Sequence, residues 1–155
     1  MSSKKFVNVT PKVNPYAQYR NYSYSLEFAI GELIDNSITS AYQNWDALVA
    51  ENGEDYCLSI YINFDENLRK IIVEDNAAGI TDEDFNRVLV AGEKPAESNH
   101  LSVYGVGLKM AAFWFGEGLQ ISSRPIGENY MSKASMSLAE MDAEGKLVAS
   151  TLTAP

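Results

Sequence analysis

The sequence predicts an α/β (α+β) protein that folds as a two-layer sandwich, with a mixed, mostly antiparallel sheet and helices on one face. Three observations predict this fold. Apolar residues recur with a helical period between about 25 and 49, they alternate with polar residues in several later stretches, and turn-forming segments separate these stretches. The 155 residues suffice for one domain with its own core.

The chain divides into an N-terminal arm, residues 1–22, and one domain, residues 23–155. The arm is polar and interrupted by Pro11 and Pro15, which predicts either an irregular arm or an edge strand around residues 6–9. Its tyrosines are expected to form an exposed aromatic arm that covers a neighbouring surface; they are Tyr16, Tyr19 and Tyr22, followed by Tyr24.

The first predicted helix covers about 25–49, with Ser23 or Ser25 as its N-cap. Its apolar face is predicted to contain Leu26, Ile30, Leu33, Ser37 and Ala41, with Ile34, Ile38 and Trp45 beside it. Its polar face is predicted to contain Glu32, Asn36, Thr39 and Gln43, with Asp35 at the edge.

The remaining elements follow from alternation, caps and turn residues. Strands are predicted at 56–64, 70–74, 119–124, 130–138 and 146–153, with turns at 65–69, 125–129 and 139–145. Thr81 begins a short helix that ends near Gly92, and a second helix covers 108–115. Residues 92–104 lack periodicity, and an irregular segment of this length inside a compact domain is often functional.

Composition excludes several classes of protein. The net charge is −9 and the basic residues are scattered, so direct nucleic-acid binding by this segment is not expected. No apolar run is long enough to span a membrane, and the N-terminus does not resemble a signal peptide. With a single cysteine, Cys57, and a single histidine, His100, we expect no internal disulfide and no metal site on His100; the expected compartment is cytoplasmic, or nuclear in a eukaryote.

The first chemical motif is Glu32 and Asn36, four residues apart on the long helix. At this spacing the two side chains lie on the same side of the helix. The Asn36 amide oxygen can coordinate Mg²⁺, and the Glu32 carboxylate can orient and deprotonate a water molecule. Taken alone, the pair is more typical of a solvated helix face.

The second motif follows a strand and consists of Asp75, Asn76 and small residues up to Gly79 and Ile80. An aspartate at a strand end can accept a hydrogen bond from an exocyclic amine such as that of adenine, and small residues let the backbone approach a flat ring. The alternative is an ordinary Asp-Asn turn.

The third motif contains two glycines at the start of a helix, in the order Tyr104, Gly105, Val106, Gly107, Leu108 and Lys109. Glycines at a helix N-terminus leave amides unobstructed for an anion, which the helix dipole also favours. The spacing is not that of a Walker A loop or of a dinucleotide-binding fingerprint.

The order of these motifs resembles the N box, G1 box, ATP lid and G2 box of the GHKL superfamily, which includes gyrase, heat-shock chaperones, histidine kinases and MutL. The resemblance implies the Bergerat fold and is greatest to MORC-like members, through Gly-Leu-Lys at 107–109 and Ile-Ser-Ser-Arg at 121–124. It implies that Glu32 is the general base and Asn36 the Mg²⁺ ligand. The implied contacts of ATP are Asn36, Asp75, Gly79, Ile80, Tyr104, Gly105, Val106, Gly107, Leu108 and Lys109.

The implied function is Mg²⁺-dependent ATP binding with slow hydrolysis, which closes residues 92–104 as a lid and drives homodimerisation. ATP and Mg²⁺ are the implied ligands, and activity is expected to be weak in an isolated domain. Two alternatives remain open: a phosphotransferase catalytic domain of histidine-kinase type, and a non-catalytic nucleotide-binding module. The fold does not name the biological process.

The sequence departs from the family pattern at three places. Ala77 replaces the first glycine of the G1 box, which would cost on the order of 1 kcal/mol if that position needs a positive φ. The late-strand hydroxyl that assists the adenine-binding aspartate is not identified, and Thr151 and Thr153 are the candidates. The following domain that supplies a lysine to the γ-phosphate is not found before Pro155, which suggests a truncated chain or a partner-dependent subunit.

Overall fold

The computed structural model describes residues 15–21, 23–90, 107–144 and 150–154. A 3₁₀ helix at Pro15–Asn21 precedes the helices α1 (Leu26–Gln43), α2 (Trp45–Asn52), α3 (Asp82–Leu89), α4 (Gly107–Phe115) and α5 (Leu138–Glu144). The strands are β1 (Ile60–Asp65), β2 (Lys70–Asp75), β3 (Gly118–Ser123), β4 (Met131–Ser137) and β5 (Ser150–Ala154). Helices and antiparallel strands confirm the predicted α/β class.

The strands of the described residues form two antiparallel sheets. β1 pairs with β2 as a hairpin, with Ile60 opposite Asp75, and the second sheet has the order β3-β4-β5. β1 begins at Ile60 rather than at the predicted residue 56. The preceding residues are held by a side chain, because Asn76 accepts a hydrogen bond from the amide of Ser59 (2.7 Å) and donates one to the carbonyl of Cys57 (3.0 Å).

The single long helix predicted for 25–49 is wrong, because it is divided at Asn44. The backbone of Asn44 is not helical (φ −118°, ψ 21°), and its amide N–H and its side-chain Nδ2 both donate to the carbonyl of Ser40. The Asn44 carbonyl then accepts from Leu48 and begins α2. Ser25 is the N-cap, as predicted, with its hydroxyl accepting from Phe28 N at 3.4 Å.

The buried face of α1 agrees with the predicted face in part. Ser37 and Ala41 are buried as predicted, whereas Leu26 and Ile38 are 48% and 42% exposed, and Ala29 is buried although it was not predicted. α1 packs against α4, in which Ala111 is fully buried. Small side chains at such a contact let two helices approach closely.

The larger core cluster explains two further corrections. It consists of Tyr16, Phe113, Met136, Leu138 and Met141. Tyr16 is 3% exposed, with its ring 5.2 Å from that of Phe113, so the first tyrosine of the expected exposed arm is a core residue. The turn predicted at 139–145 is also wrong: α5 occupies this stretch because Leu138 and Met141, three residues apart, both bury their side chains in the cluster.

A smaller cluster contains Ala41, Leu48 and Ala78, and therefore joins α1 and α2 to the segment after β2. The predicted helix start at Thr81 is confirmed, since its hydroxyl accepts from Asp84 N at 3.2 Å. Within the described part of the chain, no helix is long and apolar enough to cross a membrane. The predicted edge strand at 6–9 and the segment 92–104, with His100, lie outside the described residues.

Candidate functional site

Helix α1 contains the polar residues Glu32, Asn36 and Ser37, and Glu32 and Ser37 contact two other elements. Glu32 is half-buried, Asn36 is exposed and Ser37 is 4% exposed. Glu32 and Ser37 are five residues apart, which corresponds to about 7.5 Å along a helix axis. The contacts of these two side chains define the two ends of the candidate site.

At one end, the Glu32 carboxylate lies against Gly107, the first residue of α4. A Cβ placed on Gly107 would overlap Oε2 of Glu32 and would lie 2.9 Å from its Cδ. A side chain at Gly107 would therefore displace the Glu32 carboxylate from the start of α4. The contact places a carboxylate beside a helix N-terminus, where the helix dipole stabilises negative charge.

At the other end, Ser37 contacts Asp75, which ends β2. The Ser37 hydroxyl donates to Oδ2 of Asp75 at 2.7 Å, and the amide of Ala77 donates to Oδ1 at 3.0 Å. Both carboxylate oxygens are thus held, while the residue itself stays exposed. Because an ionised carboxylate has about four acceptor positions, Asp75 keeps the capacity to accept a hydrogen bond from a ligand.

The residue after Asp75 fixes this segment to the chain that precedes β1. Besides its two side-chain bonds to residues 57–59, Asn76 accepts a hydrogen bond on its carbonyl from the Tyr56 hydroxyl at 3.1 Å. Burial raises the pKa of Tyr56, and the charge of Asp75, followed by that of Cys57, raises it further. The two residues of the predicted Asp-Asn pair therefore have different contacts: Asn76 anchors the backbone and Asp75 faces α1.

Gly79 and Ile80 dock this segment onto the end of β3. Gly79 has φ 72°, and a Cβ there would overlap the carbonyl oxygen of Arg124. The Ile80 amide donates to the hydroxyl of Ser123 at 2.8 Å, and the Ile126 amide donates to the carbonyl of Ala78 at 2.8 Å. Two features thus require glycine at position 79: its positive φ and the close approach of the Arg124 backbone.

Ala77 does not carry the conformational cost that its replacement of a glycine suggested. Among the described residues other than glycine, only Arg69 has a positive φ. Ala77 therefore stays outside the left-handed region and uses its amide to hold Asp75. The first glycine position of this motif accepts alanine here without strain.

Lys109 occupies an unexpected position. Its side chain is 1% exposed, and its ammonium donates to the carbonyl of Val88 in the last turn of α3. Because an ammonium has three N–H donors, this bond does not exclude a contact with a phosphate, and that role stays a prediction. Gly107 and Leu108 are half-buried at the start of α4, whereas Tyr104, Gly105 and Val106 lie outside the described residues.

The hydroxyl beside Asp75 comes from α1 and was missed by the sequence interpretation. The candidate Thr153 lies elsewhere: its Oγ1 is 3.2 Å from the hydroxyl of Ser132, which donates to Asp82 at 2.9 Å. The side chain of Thr151, the other candidate, is outside the described part. A signal for Ser37 was present, because a lone hydroxyl on a predicted buried face requires a hydrogen-bond partner.

The residues also fit the Mg²⁺ that such a site implies. Asn36 is exposed on α1 between Glu32 and Ser37 and offers one amide oxygen. In the described ranges there is no cluster of three metal-ligating His, Cys, Asp or Glu side chains. At nucleotide sites Mg²⁺ is bound largely by phosphates and water with one or two protein side chains, usually carboxylates, so the role of Asn36 stays a prediction.

Comparison with known protein families supports the same interpretation. A family model described as histidine kinase-, DNA gyrase B- and HSP90-like ATPase matches residues 24–155. This range begins just before α1 and includes both ends of the candidate site. Among curated proteins, none matches this chain.

Proposed function

Since the chain belongs to the histidine kinase-, DNA gyrase B- and HSP90-like ATPase family, we propose that it binds ATP with Mg²⁺ and hydrolyses it slowly, with Glu32 as the general base. One observation carries the proposal. A single helix, α1, contacts both of the other motifs: Glu32 lies against Gly107 at the start of α4, and Ser37 donates a hydrogen bond to Asp75.

The adenine end of the proposed site is formed by Asp75 and the segment after it. The Asp75 carboxylate, held by Ser37 and by the Ala77 amide, accepts a hydrogen bond from the exocyclic amine of adenine. Gly79 and Ile80, fixed against β3, provide the adjacent backbone wall. Guanine has a carbonyl at the equivalent position, so this end selects adenine over guanine.

The phosphate end is formed by the start of α4. Amides at a helix N-terminus bind anions, and Gly107 removes the side chain that would obstruct them. Mg²⁺, when bound by Asn36 and the phosphates, supplies neutralisation of the phosphate charge. Glu32 lies at the same helix end, where its carboxylate orients a water molecule and accepts its proton during attack on the γ-phosphate.

The replacement Glu32→Gln tests this assignment. It removes the base and keeps the shape of the side chain, so phosphate release should fall at least about 100-fold, the lower end of general-base contributions. The affinity for ATP, measured by calorimetry, should change little. Glu51→Gln, at an exposed position of α2, removes an equal charge away from the site and should leave both values unchanged.

Three outcomes would contradict parts of the proposal. Phosphate release by Glu32→Gln at the rate of the wild type would remove the assigned role of Glu32. With γ-labelled ATP, label on a partner protein instead of in free phosphate would favour a phosphotransferase of histidine-kinase type. Nucleotide binding without measurable phosphate release would favour the non-catalytic binding module.

We further propose that ATP binding closes residues 92–104 over the site and promotes homodimerisation. The support is the family membership together with apolar side chains left exposed on α1, among them Phe28 (70%) and Tyr42 (83%). Sedimentation velocity with and without a non-hydrolysable ATP analogue tests this. A nucleotide-dependent dimer is expected; a monomer under both conditions would contradict it.

The MORC-like subtype is also a proposal, supported by the Gly-Leu-Lys sequence at 107–109 and Ile-Ser-Ser-Arg at 121–124.

A further inference from the structure

Asp75 lies at the open end of the hairpin formed by β1 and β2. The turn of the hairpin connects Asp65 to Lys70, and the pair at the opposite end of the ladder is Ile60 and Asp75. In the described part of the chain this sheet has two strands. A two-stranded hairpin is only marginally stable by itself, and the ends of such elements open most readily. The direction of the Asp75 carboxylate therefore depends on the contacts that close this end.

Asn76 closes the open end through four hydrogen bonds to residues 56–59. Its side-chain amide accepts from the backbone amide of Ser59 (2.7 Å) and donates to the carbonyl of Cys57 (3.0 Å). Its backbone N–H donates to the carbonyl of Ser59 (3.3 Å), and its own carbonyl accepts from the Tyr56 hydroxyl (3.1 Å). A side-chain amide has the same kinds of donor and acceptor as a peptide unit, so Asn76 continues the ladder beyond the last residue of β2.

We propose that Asn76 is a positioning residue for Asp75, and that its side-chain amide fixes the carboxylate in the direction that selects adenine. The proposal rests on the adenine contact proposed for Asp75. The hydrogen bonds from the Ser37 hydroxyl and the Ala77 amide to the two carboxylate oxygens require the backbone at residue 75 to stay in place. A ligand that binds a carboxylate fixed in this way loses less free energy to the ordering of the site.

This role makes the adenine end of the site depend on Asn76 and leaves the phosphate end independent of it. Asn76→Ala removes both side-chain bonds and retains the backbone. Asn76 is exposed, so the groups of Cys57 and Ser59 that lose a partner can bond to water and the variant should fold. Asn52→Ala is the matched control, because the exposed Asn52 also donates from its side-chain amide to a backbone carbonyl, that of Leu48 in α2, at 2.9 Å.

Calorimetry with ATP, GTP and inorganic triphosphate, each with Mg²⁺, measures the two ends separately. Asn76→Ala should weaken ATP binding by about 5- to 10-fold and reduce the preference for ATP over GTP. Its affinity for inorganic triphosphate, which has no base, and its kcat at saturating ATP should equal those of the wild type, because Glu32 and the start of α4 are unchanged. In the Asp75→Asn background the same replacement should cause no further loss of ATP affinity, since the carboxylate that it positions has been removed. Asn52→Ala should behave as the wild type.

Three results would overturn the role of Asn76: wild-type ATP affinity in Asn76→Ala, an equal loss of affinity for inorganic triphosphate, or a further loss in the Asp75→Asn background. Tyr56→Phe provides a second variant, which removes one of the four bonds and retains the ring; it should show a smaller loss of the same kind, and no loss would count against the proposal. Unimpaired ATP binding by Asp75→Asn alone would instead overturn the proposed adenine contact, so the two failures are distinguishable.

Discussion

The Ser37 hydroxyl donates a 2.7 Å hydrogen bond to Oδ2 of Asp75, and the two residues are 38 positions apart in the sequence. Ser37 is 4% exposed whereas Asp75 is exposed, so the bond is partly buried. It joins α1 to the segment after β2 and fixes the carboxylate proposed to recognise adenine. The same helix contacts Gly107 through Glu32, which makes α1 the element that connects the two ends of the site.

Replacement of Ser37 should affect both stability and ligand binding. Ser37→Ala leaves Asp75 without one donor, and we expect a loss of about 1–3 kcal/mol in the free energy of unfolding. The affinity for ATP should fall by roughly 5- to 10-fold because the carboxylate is less well oriented. Urea denaturation and calorimetry measure the two effects. The control is Ser40→Ala on the same helix; equal behaviour of the two variants would argue against the Ser37 contact.

A side chain at Gly107 should displace the Glu32 carboxylate. Gly107→Ala places a methyl group on Oε2 of Glu32, so this end of a flexible side chain must move away from the start of α4. We expect phosphate release to fall strongly. Gly31→Ala is the contrasting replacement: its Cβ would have no described atom within 4 Å, and it lies inside α1. There phosphate release should stay unchanged, and stability should rise by about 0.5–1 kcal/mol. Equal phosphate release by the two variants would refute the contact.

Two glycines with nearly equal φ allow the stability cost of the backbone conformation to be measured apart from the cost of crowding. Gly79 has φ 72° and Gly127 has φ 76°, but a Cβ would overlap a backbone carbonyl only at Gly79. Gly127→Ala should cost about 1 kcal/mol for the left-handed conformation. Gly79→Ala should cost about 2–5 kcal/mol, since displacement of the Arg124 backbone is added, and should weaken ATP binding. Equal losses in chemical denaturation would contradict the docking of this segment on β3.

Stability should fall at alkaline pH through three tyrosines. Burial is the largest cause of a raised pKa for Tyr24, Tyr56 and Tyr130; the charges of Glu32, Asp75 and Asp82, respectively, add to it. The folded protein therefore holds these protons more tightly than the unfolded chain does. Their contribution is complete below a pH of about 10, the ordinary tyrosine pKa, and is lost as the pH rises through the raised values.

Urea denaturation between pH 8 and pH 11 measures this loss. The decrease in the free energy of unfolding above pH 10 should be smaller in the triple Phe variant of these three tyrosines than in the wild type. Tyr42→Phe, which changes an exposed ring, should follow the wild type. An identical pH dependence in the triple variant and the wild type would show that these phenols do not titrate differently on folding.

Local signals predicted much of the fold. The caps at Ser25 and Thr81, the alternation in β1 and β2, and the glycine-led start of α4 each depend on residues close in sequence. The order of the three motifs likewise identified the family that the comparison confirmed. These features were predictable because the responsible interactions span a few residues.

The features that the sequence did not predict depend on distant contacts. The helix α5 depends on the cluster around Phe113, the Ser37 hydroxyl bonds to Asp75, and the Lys109 ammonium lies on a carbonyl of α3. The apolar period and the helix propensity of a segment contain no information on which other segment will pack against it. Ser37 was therefore placed correctly on the buried face, but its partner Asp75 could not be read from the sequence.

The most direct test of the central claim is calorimetry of ATP and GTP, with Mg²⁺, on the wild type, Asp75→Asn and Glu74→Gln. The wild type and Glu74→Gln should bind ATP in preference to GTP, because Glu74 precedes Asp75 on β2 and points to the opposite face of the hairpin. Asp75→Asn should lose roughly 10-fold or more in ATP affinity, as expected for a hydrogen bond to a charged group. ATP binding by Asp75→Asn with the affinity of the wild type, or equal binding of ATP and GTP by the wild type, would contradict an adenine site at Asp75.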